Sequence, residues 1–168
     1  MSFSAFAIAN EFLNIAKKHV MPLTPMKIQK LVFYAHGWSL ALTEKPLIYD
    51  RIEAWEWGPV IPKLYGKLKS YGNEPVSKPI SYIAIQGTKF HAVIPSLENS
   101  EAPEESKDEA REILAGAWDT YGKYSPARLS NATHAKGTPW EQVYQPGVRG
   151  KVIPDPLIEE YFKRMLTE

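Results

Sequence analysis

A threonine and a proline at positions 24 and 25 open the segment that most restricts how this chain can fold. Thr24 is suited to accept an orphan N–H at a helix start, and Pro25 falls at the first helical position, where its missing N–H costs nothing. From Met26 to about Leu42, Ile28, Leu31, Val32, Ala35, Trp38 and Leu42 form an apolar stripe too broad for a helix with one wet face. Such a helix needs cover on both sides. It is therefore expected to run through the middle of the domain, with the other elements packed around it.

Those elements can be placed by the same signals. Ser4 caps a helix to His19 that carries Ile8, Phe12, Ile15 and Ala16 at helical spacing. Two short extended segments, 46–49 and 52–55, flank a turn at Asp50-Arg51, and the spacing of Ile61, Leu64, Tyr65, Leu68 and Tyr71 predicts a helix from about Pro59 to Tyr71. The period then changes: Tyr82–Ile85 and Phe90–Ile94 flank Gln86-Gly87-Thr88, a β-hairpin pattern. A helix follows from about Glu104 to Tyr121, its acidic first turn favourable to the dipole. Ser125-Pro126 and Thr138-Pro139 start two short helices, and Asp155-Pro156 starts a terminal one. The expected fold is α+β, a single compact domain over 1–168 with about six helices and a small antiparallel sheet or hairpin.

Composition narrows the function. The 168 residues suffice for one core without a metal or disulfide, and cysteine is absent, which excludes disulfides, thiolate metal sites and cysteine nucleophiles. The formal net charge is +1, distributed as +5 over residues 1–97, −5 over 98–112 and +1 beyond. That balance provides no strong field for nucleic acid or anionic membrane. The N-terminus lacks the charged start and apolar run of a signal peptide, and no stretch approaches a membrane span, so a cytoplasmic protein is expected. Neither a phosphate-binding glycine loop nor a His-Glu-x-x-His or Gly-x-Ser-x-Gly motif occurs. No cofactor or metal is expected.

His19, His36, His91 and His134 are scattered, and each reads more simply as a hydrogen-bonded residue than as a ligand. Asp50, Glu53 and Glu56 form a carboxylate group that converges only if the chain bends, since on a strand residues 53 and 56 point to opposite faces. The large aromatics Trp55, Trp57, Tyr65 and Trp140 are the best candidates for function without catalysis, because such side chains dominate interfaces as well as cores.

Three blocks then point to a family. Pro25 to Trp38, with Lys30 and Tyr34 within it, resembles the opening motif of the Panacea antitoxin domain, shared by SocA-like proteins and the phage-associated GepA-like proteins. Pro46 to Asp50, leading into Ile52–Tyr65 with Glu53-Ala54-Trp55 and Gly58-Pro59-Val60, resembles its middle block. Leu129 to His134 followed by Pro139-Trp140 resembles its closing block, with Ala132 in place of the usual leucine. The hairpin and acidic loop, about 78–104, fall where the family is expected to vary.

The resemblance implies an antitoxin that binds a toxin protein encoded nearby, with delivery to a ClpXP-type protease as one form of neutralisation. It assigns Lys30, Tyr34, Trp38, Glu53, Trp55, His134 and Trp140 mainly to the fold. Trp57, Gly58, Pro59, Tyr65 and Phe90 of the hairpin are assigned to partner binding, with Gly58-Pro59 fixing a turn between strand and helix. Two rivals stay open: a nucleic-acid-binding autorepressor, which would show steep salt dependence, and a hydrolase using Glu53 and His134, which requires those side chains to meet in a pocket.

Overall fold

The computed structural model describes all 168 residues. In chain order the elements begin with α1 (Ala5–Lys18), α2 (Pro25–Thr43), β1 (Glu53–Trp55), β2 (Gly58–Val60) and α3 (Pro62–Leu68). They continue with β3 (Tyr82–Gln86), β4 (Lys89–Val93), α4 (Glu104–Tyr121), α5 (Pro126–Thr133), α6 (Pro139–Val143) and α7 (Asp155–Thr167). The architecture is α+β, with seven helices and two separate two-stranded antiparallel sheets. All seven helices read from the sequence are present, the five-residue α6 after Thr138 among them.

Helix α2 is the axis. The Thr24 side chain accepts from the Lys27 N–H at its start, and Glu44 in the left-handed conformation ends it. Fourteen of its 19 residues are buried, because α1, α3, α4, α5, α7 and β2 all pack against it. Gly37 permits the closest of these approaches: a Cβ there would overlap the Phe162 ring of α7. The same ring meets Phe33 and Trp38 edge-on, while Tyr34 stacks on Tyr121 of α4 with centroids 4.1 Å apart. Burial of side chains such as Phe12, Ile28 and Leu31 contributes roughly 1.5–3 kcal/mol apiece.

Polar groups on α2 tie its neighbours down. Trp38 donates its indole N–H to the Tyr121 hydroxyl at 2.9 Å, and Lys27 donates to the Gly122 carbonyl. His36 is the hydrogen-bonded residue its setting suggests. Its Nδ1 accepts from the Ile48 N–H, which leaves the proton on Nε2 to bond Asp155 at 2.9 Å. No helix is long and apolar enough to cross a membrane.

One expected boundary is corrected. Residues 58–60 do not open a helix but form β2, paired with β1 in the register Glu53↔Val60, Ala54↔Pro59, Trp55↔Gly58. Glu56 and Trp57 are the two-residue loop between them, and α3 starts only at Pro62. The reason lies on α2. Gln29 brackets Ile61, accepting its N–H at 2.9 Å and donating to its carbonyl at 3.1 Å, while Lys30 donates to the carbonyls of Trp57 and Pro59. These bonds hold the backbone extended through Ile61. The outer edge of β1 is covered by the 151–153 segment through the Glu53↔Val152 bridge.

The β3–β4 hairpin has the register Tyr82↔Val93 to Gln86↔Lys89, with Gly87 at positive φ in its two-residue turn. It stands away from the core, with Ile83, Ile85 and Phe90 exposed on one face. The buried side chain of Asn10 on α1 grips both its legs. Asn10 accepts from the Ile80 N–H at 2.7 Å and donates to the Ile80 and Pro95 carbonyls at 2.9 and 2.8 Å. Asn10→Ala removes three bonds from buried groups, and the expected loss of stability is about 2–4 kcal/mol. Hydrogen exchange should speed up across residues 80–95 more than in α2; uniform acceleration across the chain would contradict the clamp.

Candidate partner-binding site

Most of the residues singled out in the sequence converge on the short β1–β2 hairpin. Its strands have three residues each, too few to be stable in isolation, so its shape depends on what grips it from below. Three regions of the chain do so. Lys30, on α2, places its Nζ 2.8 Å from the Trp57 carbonyl oxygen and 3.2 Å from that of Pro59. Ser130, on α5, donates its hydroxyl to the same Trp57 oxygen at 3.1 Å. Trp140, on α6, donates its indole N–H to the Trp55 carbonyl at 2.5 Å.

His134 closes the ring. Its Nδ1 lies 2.6 Å from the Ser130 carbonyl and its Nε2 lies 3.0 Å from the Glu56 carbonyl. Both ring nitrogens thus face backbone carbonyls, one from α5 and one from the loop between β1 and β2. The ring also packs edge-on against Trp140 at 4.1 Å. Thr138 caps α6 and donates to the Thr133 carbonyl at 2.8 Å, fixing the approach of α6 to α5.

Gly58 is required by this crowding. Its φ is +108°, and a Cβ there would come within 2.6 Å of Lys30 Nζ and 2.8 Å of Thr133 Oγ1. Gly58 and Pro59 are both buried. They lie on a strand over the lysine, not in a turn between strand and helix. Glu53 is buried as well, accepting the Trp55 indole N–H at 3.0 Å and the Arg51 guanidinium N–H at 3.3 Å. Glu53 and His134 are therefore committed to different partners and share no hydrogen bond, so the pairing that a hydrolase reading requires is not formed. No group of three or more His, Asp or Glu side chains gathers where a metal could be held.

What the grip displays is aromatic. Trp57, at the hairpin tip, is 65% exposed although its carbonyl accepts two hydrogen bonds from below. Trp55 is half-buried and meets Tyr65 of α3 edge-on at 4.9 Å, with the Arg149 guanidinium 4.9 Å from its ring centre. Tyr65 is itself exposed. Phe90 is exposed on the other hairpin, and Tyr34 and Trp38 lie farther along α2, in or against the core.

Gln29 and Ser130 were legible only as members of the quoted blocks. The signal that marks Gln29 and Lys30 is their polarity on a helix too apolar to have a wet face.

These features define a short hairpin held by three helices, with a large aromatic surface exposed at its tip. A family model for SocA-like antitoxins with the Panacea domain matches residues 28–141, a span that contains most of α2, both hairpins and the residues that grip the β1–β2 hairpin. Antitoxin SocA of Caulobacter vibrioides (strain NA1000 / CB15N) is 30% identical over 167 residues, covering 96% of this chain and 84% of that protein. The chain belongs to the SocA-like Panacea-domain antitoxin family. No solved structure matches it.

Burial holds the Lys30 ammonium down to about 7 from its ordinary 10.5, and the same cause lowers Lys27. A depressed lysine binds fewer protons in the folded state between pH 7 and about 10.4, so stability rises with pH across that window. Below pH 7 the desolvation penalty is fully present. Lys30 alone accounts for an increase on the order of 4 kcal/mol at most. Burial raises Tyr34, Tyr121 and Tyr161, which reverses the trend above about pH 10. Urea unfolding between pH 7 and 9.5 should therefore show a rising midpoint, and Lys30→Met should flatten most of the slope; an equal slope in both proteins would contradict the assignment.

Proposed function

We propose that this protein is an antitoxin that works by stoichiometric binding, covering a toxin protein encoded next to it with the surface around the β1–β2 tip. The observation that carries the reading is Trp57, a large aromatic side chain held in water by a backbone pinned from two helices. Tryptophan is enriched among interface hot spots, and on an ordered backbone little conformational entropy remains to be lost on binding. Tyr65 extends the contact on one side, and the apolar face of the β3–β4 hairpin, with Phe90, supplies a separate element. Lys30, Glu53, Trp55, His134 and Trp140 act from below, setting the display without touching the partner; Tyr34 and Trp38 serve the core around α2.

Family membership supports this reading, as do the +1 net charge and the absence of a metal-holding cluster. In its finer form the bound toxin is then passed to a ClpXP-type protease. Occlusion and delivery differ in one measurable respect: delivery shortens the toxin's half-life when the antitoxin is present, while occlusion leaves it unchanged or longer.

The test is growth on inducing the adjacent open reading frame, alone and with this protein, followed by co-purification. Arrest, rescue and a stable complex are expected. A harmless neighbour that does not co-purify would overturn the reading. Trp57→Ala should cost about 2 kcal/mol or more of affinity, roughly thirtyfold in Kd, with no fall in thermal stability. Unchanged affinity in the folded variant would remove the β1–β2 tip from the interface.

A further inference from the structure

A cleft of about 240 Å³ opens between the hairpin tip, α3 and the first turn of α2. Trp55, Trp57 and Tyr65 provide its aromatic walls, Met26 and Lys30 come from α2, and Lys69 stands at its rim. Its lining contains two lysines and no carboxylate.

Neither lysine is neutralised elsewhere. Lys30 is 1% exposed and its only polar partners are the two hairpin carbonyls. Lys69 is exposed and takes part in none of the ion pairs of the molecule. Arg149, against the outer face of Trp55, is exposed and likewise has no carboxylate. Three acids lie nearby in the chain: Glu53, whose carboxylate is taken up by Trp55 and Arg51, Glu56, at the tip, and Glu74, beyond the end of α3. None of them lines the cleft.

The acidic run of the protein is at the other end of α2. Lys45, just past the α2 C-terminus, pairs with Glu109, while Arg111 gathers Glu98, Glu104 and Asp108. A helix of 19 residues separates the two ends by roughly 28 Å, well beyond the ~8–10 Å screening length at ordinary salt. Apolar walls focus a field of one sign, and the first turn of α2 adds partial positive charge.

We propose that this cleft receives an acidic side chain of the bound toxin, an aspartate or glutamate flanked by apolar residues. Its stem lies against Trp57 and Tyr65. Its carboxylate bonds to Lys69 and is held through the low-dielectric wall by Lys30. The charge burial that Lys30 imposes on the free protein is thereby compensated in the complex. This rests on the antitoxin reading and adds the chemistry of the partner's anchor.

The test uses the full chain and three capped tripeptides, Leu-Glu-Leu, Leu-Gln-Leu and Leu-Lys-Leu, followed by the indole N–H resonance of Trp57. The glutamate peptide should shift that resonance and bind about tenfold more tightly than the glutamine peptide, with the lysine peptide weakest. The preference should shrink as salt is raised. Lys69→Gln, an exposed and structurally mild change, should remove most of the preference; Lys30→Met should reduce it further if the fold survives. Equal affinity of the glutamate and glutamine peptides, no shift with any of them at 10 mM on the order of weak fragment binding, or a preference untouched by Lys69→Gln would overturn the proposal. A toxin rescued in the growth assay alongside equal peptide affinities would overturn only this inference. A selective cleft in a protein whose neighbour is harmless would remove the antitoxin reading while the acid site stood.

Discussion

A buried lysine with no counter-ion holds the structure's most informative region in place. Lys30 projects from the central helix and delivers its amine to the carbonyls of Trp57 and Pro59. The β1–β2 hairpin cannot satisfy those oxygens itself, and leaving a buried acceptor unpaired costs about 1–3 kcal/mol. The amine in turn is desolvated strongly enough to bring it down to about 7. Each side of the contact would be unfavourable without the other. Gly58 is the steric consequence, because only a residue without Cβ lets the strand pass over the amine and over Thr133.

This explains why the three sequence blocks belong together. The first provides Gln29 and Lys30, the second the hairpin they hold, and the third Ser130, His134 and Trp140, which hold it from the other side. The central helix was legible from its cap and its apolar stripe, and the β3–β4 hairpin from its alternation and Gly87. Of the β1–β2 hairpin only the extended segment 52–55 was; its partner strand was not, for a physical reason. Strands of three residues show no periodicity, and Trp57-Gly58-Pro59 ahead of Ile61, Leu64 and Tyr65 has the local pattern of a helix start. Only hydrogen bonds between residues about 30 positions apart, Lys30 to Pro59 and Gln29 to Ile61, keep that stretch extended. Local spacing contains no trace of them. Polar residues on an otherwise buried helix were the available clue, and nothing in their spacing says which backbone they meet.

The two hairpins are anchored by different means. The first is short, pinned along its length by α2, α5 and α6, and presents one exposed tryptophan. The second has strands of five residues and free faces, and it is gripped at its base by Asn10. A pinned aromatic loses little freedom when it meets a partner, whereas a hairpin held only at its base can adapt its exposed Ile83, Ile85 and Phe90 to different surfaces. Within one domain the fold thus combines an aromatic surface pinned along its length and one held only at its base.

That division bears on how a single scaffold serves recognition. The pinned surface depends on buried polar groups that come from three parts of the chain, so altering its geometry means altering the core. The surface held at its base depends on side chains that support nothing else, and it tolerates substitution at little cost to stability. On the proposed reading, a change in partner preference is accommodated most readily on the β3–β4 hairpin, while the aromatic tip and the positive cleft beside it meet the toxin. A partner fitting this surface needs an apolar patch for Trp57 and Tyr65, and a negative group where Lys69 and Lys30 leave positive charge unanswered.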